Sequence, residues 1–441
     1  VWFGKAPLSA SPASDRVRSM AAFSLPSWLS RTFGARPAQA WCRTALASET
    51  SLQASVESIA SQLRGTGPAD LAFVFAAASY ASDLPRLLPL LQEKLQASNW
   101  LGCLGGGVVG TDAGGSPHEL ENRPALSVTL LHLPGAELHP FAIATDSLPD
   151  LDGPADPWRA LLGAPAAPSP SMLLLVDPSC SRINDLISGL DYACPEAAKV
   201  GGIAGQHSAG HGSLLFGDQV VRGAVGCLIG GAWQLDPVVA QGCRPIGPVF
   251  DVEQAQRNVV LEVSQGQARR SPVAALQAIL TDLSPEEREL VKHSLFLGVG
   301  RSNFSLTAAD PDGPTAFLVR NLLGVDPRNG AVAVAERMRV GQQVQFQLRD
   351  AGASRLELRQ LLTKQQGRNP EPLAALLFAC LGRGEGLYGT ADGDVDLCRE
   401  VFAQVPIAGA FCNGEIGPVA GSTHLHGYTA SLAFLVPRGD D

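Results

Sequence analysis

Apolar positions along the chain follow helical and strand periods in turn. Leu52, Val56, Ile59 and Leu63 recur at helical spacing, and "GTGP" at 65–68 ends that helix. One plan then appears three times. Continuous apolar runs, "LAFVFAA" from Leu71, "MLLLVDPS" from Met172 and "LAALLFACLGRG" from Leu373, each predict a buried strand. A one-faced helix follows each run, carried by Leu84, Leu87, Leu88 and Leu91, then by Ile183, Leu186, Ile187 and Leu190, then by Cys398, Val401, Phe402 and Val405. Glycine-rich segments, "LGCLGGGVVG", "GGIAG" and "IAGAFCNGEIG", close the units. Leu71 to Gly102, Leu173 to Gly201 and Leu376 to Gly409 span 31, 28 and 33 residues, so one supersecondary unit has been reused.

Between these units lie stretches that alternate and turn. Residues 126–144 turn at Pro134-Gly135, 214–231 at Gly217-Asp218 and 317–338 near Asn329-Gly330, and each reads as a hairpin. "SPEEREL" opens a helix at Ser284, with Pro285 at its first position and Glu287 completing a capping box. The proline-rich residues 148–171 read as an exposed loop. The expected fold class is α/β (α+β): mixed sheets with hairpins, covered by helices, in two pseudo-related domains. The junction is expected at 235–250, giving domains at 66–237 and 238–437 after a leader at 1–48.

Composition narrows the class. A chain of 441 residues with 45% apolar content can fill two cores. Its longest apolar stretches, such as 223–233, fall short of the roughly 18 residues a spanning helix needs. A net charge of -9 without a basic cluster argues against nucleic-acid or anionic-membrane partners. Nine scattered cysteines without a CxxC pair point to buried thiols in a reducing compartment. From Met20 to Ser48 the chain carries Arg31, Arg36 and Arg43 and no acidic residue. That composition suits a transit peptide, and the expected location is an organellar stroma or matrix, chloroplast before mitochondrion, with the cytoplasm as the alternative.

Candidate chemistry concentrates in "AGAFCNGEIGPVAGSTHLHGYTA" (408–430). On one continuous strand His424, His426 and Tyr428 would share a face, and Cys412, Asn413 and Glu415 lie on the glycine frame before it. Two histidines on a strand face could begin a metal site, and Cys412 with Glu415 and His424 could form a nucleophilic set, but both patterns are sparse. Arg383 in "CLGRGEGLYG" follows the third unit's strand, where open α/β sheets hold ligands, and could clamp an anionic group, with Glu415 holding a cationic one. No Walker A or GxGxxG pattern accompanies these glycines. His207 and His211 stand four apart in a glycine-rich loop.

The segments "GGIAG" (201–205), "VGQQVQFQLRDAGASRLEL" (340–358), "ALLFACLGRGEGLYG" (375–389) and "IAGAFCNGEIGPV…HLHGYTA" (407–430) together resemble the paired FIST N and FIST C domains. The resemblance covers about residues 66–437. It implies a sensory module that binds small ligands such as amino acids in a mixed α/β fold and passes its signal to a protein partner. Arg383, Cys412, Asn413, Glu415, His424, His426, Tyr428 and Gly202 are the expected ligand-binding residues. Some bacterial members are haem-based nitric-oxide sensors, which makes haem the alternative cofactor and His207, His211, His424 and His426 its candidate ligands. Members with an F-box recognise ubiquitination substrates; residues 1–65 show no F-box-like segment. A protein-interaction scaffold and an enzyme using Cys412, Glu415 and His424 are the remaining alternatives.

Overall fold

A computed structural model describes residues 39–163, 171–300 and 317–439. The expected repeat is present and runs further than the sequence suggests. The first unit comprises β1 (Trp41–Ala47), α1 (Leu52–Gln62), β2 (Ala69–Ala77), α2 (Leu84–Gln92), β3 (Ala97–Gly105), β4 (Gly107–Thr111), β5 (Pro117–Glu121) and β6 (Leu126–His132). The second repeats that order with β7 (Ala136–Ile143), α3 (Asp156–Ala160), β8 (Ser171–Val176), α4 (Ile183–Ala193), β9 (Lys199–Ile203), β10 (Leu214–Phe216), β11 (Gln219–Val221) and β12 (Ala224–Gly231).

The third unit begins with β13 (Trp233–Ala240) and is then interrupted. The insertion holds β14 (Cys243–Pro245), β15 (Phe250–Gln256), β16 (Val259–Gln265), β17 (Ala268–Arg270), α5 (Pro272–Asp282), α6 (Pro285–Ser294), β18 (Leu295–Val299), β19 (Leu318–Asp326), β20 (Ala331–Val334) and β21 (Gln343–Arg349). The plan resumes with α7 (Ala351–Arg368), β22 (Ala374–Cys380), α8 (Gly384–Tyr388), α9 (Gly393–Val401), β23 (Ile407–Cys412), β24 (Glu415–Val419), β25 (Ser422–His426) and β26 (Ala430–Pro437).

The units exchange hairpins in a ring. The sheet orders are β1-β6-β2-β3-β10-β11, β7-β12-β8-β9-β24-β25 and β13-β26-β22-β23-β4-β5. Each unit therefore supplies four strands of its own sheet and receives a hairpin from another unit. Three backbone hydrogen bonds close the ring: Gly106 N donates to Phe411 O (2.9 Å), Asn413 N to Ile203 O (3.0 Å) and Gly205 N to Leu104 O (2.7 Å). The three closing glycines of the sequence are equivalent in space. Gly102, Gly201 and Gly409 lie opposite Val74, Leu174 and Leu377 on the parallel neighbouring strand, and a Cβ at any of them would stand 1.8 Å from that partner's carbonyl oxygen. Only glycine lets these strands pair.

Burial follows strand alternation. Phe73 and Phe75, Leu173 and Leu175, and Leu376 and Phe378 point from the three sheets into one shared core, with Cys103, Val108, Leu214 and Cys412. The opposite faces pack under α1 and α2, under α3 and α4, and under α7 and α9. In the insertion, β21, β15, β16, β20, β19 and β18 close into a barrel, because β21 also pairs with β18, and the barrel has its own apolar core.

Several expectations are corrected. The last residues of the expected leader, 41–47, form β1, paired along its length with β6; residues 1–38 lie outside the described residues. Pro134-Gly135 does turn the chain, but β6 and β7 enter different sheets, so 126–144 is not a hairpin. The 214–231 stretch pairs only as far as β11 before β12 crosses to the second sheet, whereas β19 and β20 form the antiparallel pair expected around Asn329-Gly330. The proline-rich loop contains α3, whose Trp158 is fully buried against α4. The Ser284 capping box is formed as read. No helix among the described residues is long and apolar enough to cross a membrane.

Candidate functional site

Register identifies where the threefold plan breaks. Leu214 of β10 lies opposite Cys103, Val108 of β4 opposite Ala410, and Glu415 of β24 opposite Gly202. Each of those partners directly follows its unit's closing glycine, so Leu214, Val108 and Glu415 occupy equivalent positions. Two are apolar core residues and the third is a fully buried carboxyl. One oxygen of Glu415, Oε2, accepts the Thr429 N–H at 3.1 Å, and the other, Oε1, is buried with no hydrogen-bond partner. Burial holds its pKa well above the usual carboxylate range, against the opposing pull of the Thr429 N–H and the Arg383 charge, so the neutral acid is favoured.

Cys380 ends β22, in register with Cys412 on β23. Its equivalents, by offset from the closing-glycine partner, are Ala77 and Asp177. The half-buried sulfur accepts the Gly382 N–H at 3.5 Å and faces the Tyr428 N–H. Burial first, then the neighbouring Glu415, raise its pKa to about 11, so it is a thiol rather than a thiolate at neutral pH.

The inserted barrel supplies the opposite wall. Arg349, the last residue of β21, sets its guanidinium 4.1 Å from the centre of the Tyr428 ring, and Phe296 of β18 meets the same ring edge-on at 5.1 Å. Arg349 Nη1 donates to the Gly382 carbonyl at 3.0 Å, and its Nε is buried without a partner. Among the described residues it forms no ion pair with a carboxylate. Burial lowers its pKa. Cys243, in register with Arg349 on β14, is a thiol that burial raises to about 12. Tyr428 itself holds the left-handed backbone at φ 64°, an uncommon conformation for a large side chain, in the turn between β25 and β26.

The expected site residues divide. Glu415 and Tyr428 lie together in this cluster, and Gly202 is the register partner of Glu415. Tyr428 does not share a strand face with His424 and His426, because β25 ends at His426. Arg383 is fully buried and forks onto Asp394, Nε to Oδ2 at 2.7 Å and Nη2 to Oδ1 at 2.6 Å, while Nη2 also donates to the Tyr388 hydroxyl at 2.6 Å. Burial alone would lower its pKa, but the Asp394 carboxylate keeps it raised. Its guanidinium is a structural tie and is not presented to a ligand.

Cys412 points into the shared core, where a Cβ on Gly202 would stand 2.6 Å from its sulfur. Burial holds its thiol well above the ordinary range, which suits packing and not nucleophilic attack. Asn413 is exposed and donates to Ala204 O at 2.7 Å. His426 is buried with Nε2 against the Gly417 carbonyl at 3.0 Å, and burial pushes its pKa down to about 3. His424 is half-buried, its ring 6.1 Å from that of His426. His207 and His211 form a separate pair, ring centres 4.9 Å apart, and both nitrogens facing the Gly212 carbonyl belong to the loop's own hydrogen bonds. Among the described residues no group of three or more His, Cys, Asp or Glu is placed to hold a metal ion.

Arg349, Cys380, Cys243 and Phe296 were not singled out in the sequence. An alignment of "GCLGGGVV" with "GGIAG…SLL" and "GAFCNGEI" would have exposed Glu415 as a carboxyl at an apolar position. Nothing in the sequence brings the end of β21 to Tyr428.

Comparison with known proteins fits this architecture. The FIST N domain profile matches residues 70–265 and the FIST C domain profile residues 275–418. The chain belongs to the FIST family. An uncharacterised protein of Mycobacterium tuberculosis (strain H37Rv) is 35% identical over 379 residues, 85% of this chain and 93% of the relative. An uncharacterised protein of Mycobacterium bovis is 33% identical over 391 residues, 87% of this chain and 95% of that relative. FIST domains are generally sensory modules of signalling proteins. In this FIST chain the two matched segments do not follow the sheets: the FIST N match ends within the inserted barrel, and its β4-β5 hairpin completes the sheet that holds β22 and β23 of the FIST C match.

Proposed function

We propose that this FIST protein is a non-catalytic sensor whose small ligand binds between the barrel and the third unit, at Glu415, Cys380, Tyr428 and Arg349. The observation that carries the reading is Glu415: a fully buried carboxyl with a free Oε1, at a position that is apolar in both other units. Burying such a group costs stability unless something it binds compensates. Cofactor-free recognition suits the cluster, which offers a neutral acid, a thiol, a phenol and a guanidinium, mixed polar contacts of the kind that orient a ligand. Both nearby thiols are held protonated, which favours binding over nucleophilic chemistry. Because the walls come from two parts of the fold, occupancy can be reported to a protein partner by their fit. An organellar location, resting on the basic, acid-free stretch before Glu49, belongs to this proposal.

The reading is tested by a thermal-stability screen of the protein against a metabolite library, with product analysis of every stabilising compound. Saturable stabilisation with the compound recovered unchanged supports it. Conversion of the compound would make the site catalytic and overturn the non-catalytic reading.

A further inference from the structure

We propose that the ligand of this site carries an oxyanion, a carboxylate or a phosphate, received by Arg349. The proposal deepens the sensor reading and rests on it. Three other sheltered arginines have carboxylate partners: Arg383 with Asp394 (2.6 Å), Arg320 with Glu336 (2.8 Å), Arg244 with Glu287 (2.6 Å) and Asp350 (2.9 Å). Arg355, half-buried on the Tyr388 ring at 4.5 Å, forms no carboxylate pair among the described residues, but it has no buried nitrogen left without an acceptor, which Arg349 has. Among the described residues Arg349 has no carboxylate partner. It rests on the Tyr428 ring, ties Nη1 to the Gly382 carbonyl and leaves Nε buried without an acceptor. A half-buried guanidinium on an aromatic face, with its Nε donor unused, matches the oxygens of a planar carboxylate or a phosphate.

The groups around Arg349 offer further hydrogen-bond donors to an anion, with the Glu357 and Asp350 carboxyls lying on the Cys243 side. Glu415, the carboxyl of this cluster, is fully buried, and in its neutral form it can donate a hydrogen bond to a ligand oxygen. Cys380 interacts with both Arg349 and Glu415 and adds a second weak donor between them. The expectation that Glu415 would balance a cationic group is therefore reversed: Glu415 acts as a donor, and the charged contact is Arg349 in place of the buried Arg383. Since Arg349 ends a barrel strand and Cys380 and Tyr428 belong to the third unit, an oxyanion held here joins the two parts.

The test compares wild type with Arg349→Gln, and with Arg359→Gln as a surface control, since Arg359 is exposed and pairs with Glu400 away from the site. Thermal midpoints of protein first freed of bound small molecules by partial unfolding, dialysis and refolding are recorded with increasing benzoate, phenyl phosphate or benzylammonium, at ionic strength matched with chloride. Expected is saturable stabilisation of wild type and Arg359→Gln by one of the two anions, weakened roughly tenfold in Arg349→Gln, with benzylammonium inactive. Which anion acts distinguishes carboxylate from phosphate. Equal responses in wild type and Arg349→Gln, no response to either anion, or a preference for benzylammonium would overturn the proposal. Small molecules released on denaturation separate its failure from that of the sensor reading: a molecule kept by Arg349→Gln and lost from Glu415→Leu leaves the pocket standing and removes the oxyanion, while loss from neither variant removes both.

Discussion

Glu415 stands in the third unit where Leu214 stands in the second, each opening an exchanged hairpin and each opposite the residue after a closing glycine. The fold accepts leucine at that point, so the carboxyl is not required by the architecture. Glu415→Leu removes a buried acid and leaves unpaired the Thr429 N–H and the weak Cys380 thiol donor that face it. Its stability at pH 7 is expected to equal or exceed that of wild type by about 1–2 kcal/mol in urea unfolding. A loss above about 3 kcal/mol would assign Glu415 to structure instead.

Arg383 and Arg349 should behave oppositely. Arg383→Ala strands Asp394 as a buried charge and is expected to cost about 3–5 kcal/mol, seen as a lower urea midpoint and poor soluble yield. Arg349→Gln removes a half-buried group with no carboxylate partner among the described residues, and a loss of about 1 kcal/mol or less is expected. Equal losses would contradict the roles assigned to the two arginines.

Much of the fold was legible in the sequence because the repeat writes itself in apolar runs and in the closing glycines. Gly102, Gly201 and Gly409 could be matched by spacing alone, since a carbonyl 1.8 Å from any Cβ admits no other residue. The hairpin exchange was not legible: alternation marks β10 and β11 as strands but does not say which sheet receives them. The site was half legible. Glu415 and Tyr428 sit on the glycine frame, whereas Arg383 reads from sequence like a ligand clamp because its partner Asp394 lies beyond the glycine turn. Arg349 comes from an insertion with its own core, and no local pattern records where a strand end meets a distant turn.

Gly201→Ala and Gly409→Ala should each disrupt the parallel pairing at the centre of a sheet. A loss of more than about 3 kcal/mol, or failure to fold, is expected for either. The exposed Gly386→Ala, at which an added Cβ meets nothing within 4 Å, serves as the control in the same denaturation series and should change stability by less than about 1 kcal/mol.

A chain beginning at residue 49 lacks β1. The β6 edge and the Ala45 and Ala47 contacts beneath α1 would be exposed, and such a chain is expected to aggregate, while one beginning at residue 39 stays soluble. Size-exclusion chromatography of the two chains decides the point.

Glu119 of β5 docks an exchanged hairpin on the third unit. Its Oε1 accepts the Asp394 and Val395 N–H groups at the start of α9, each at 2.9 Å, and burial, then the Asp394 charge, raise its pKa to about 8. The folded state therefore holds a proton that the unfolded state releases near the ordinary carboxylate value, and stability falls as pH rises from about 4.5 to about 8. His426, depressed to about 3, acts in the opposite sense only below its unfolded value near 6.5. Between pH 6.5 and 8 wild type is expected to lose stability relative to Glu119→Gln, by roughly 1 kcal/mol per pH unit at most. Parallel urea curves for the two proteins across that range would show that Glu119 does not titrate there.

The most direct measurement is mass spectrometry of the small molecules released when purified wild type and Glu415→Leu, both starting at residue 39, are denatured. A single compound in stoichiometric amount from wild type and its absence from a folded Glu415→Leu is the expected result. The same compound from both proteins, or none from either, would contradict a ligand site built around Glu415.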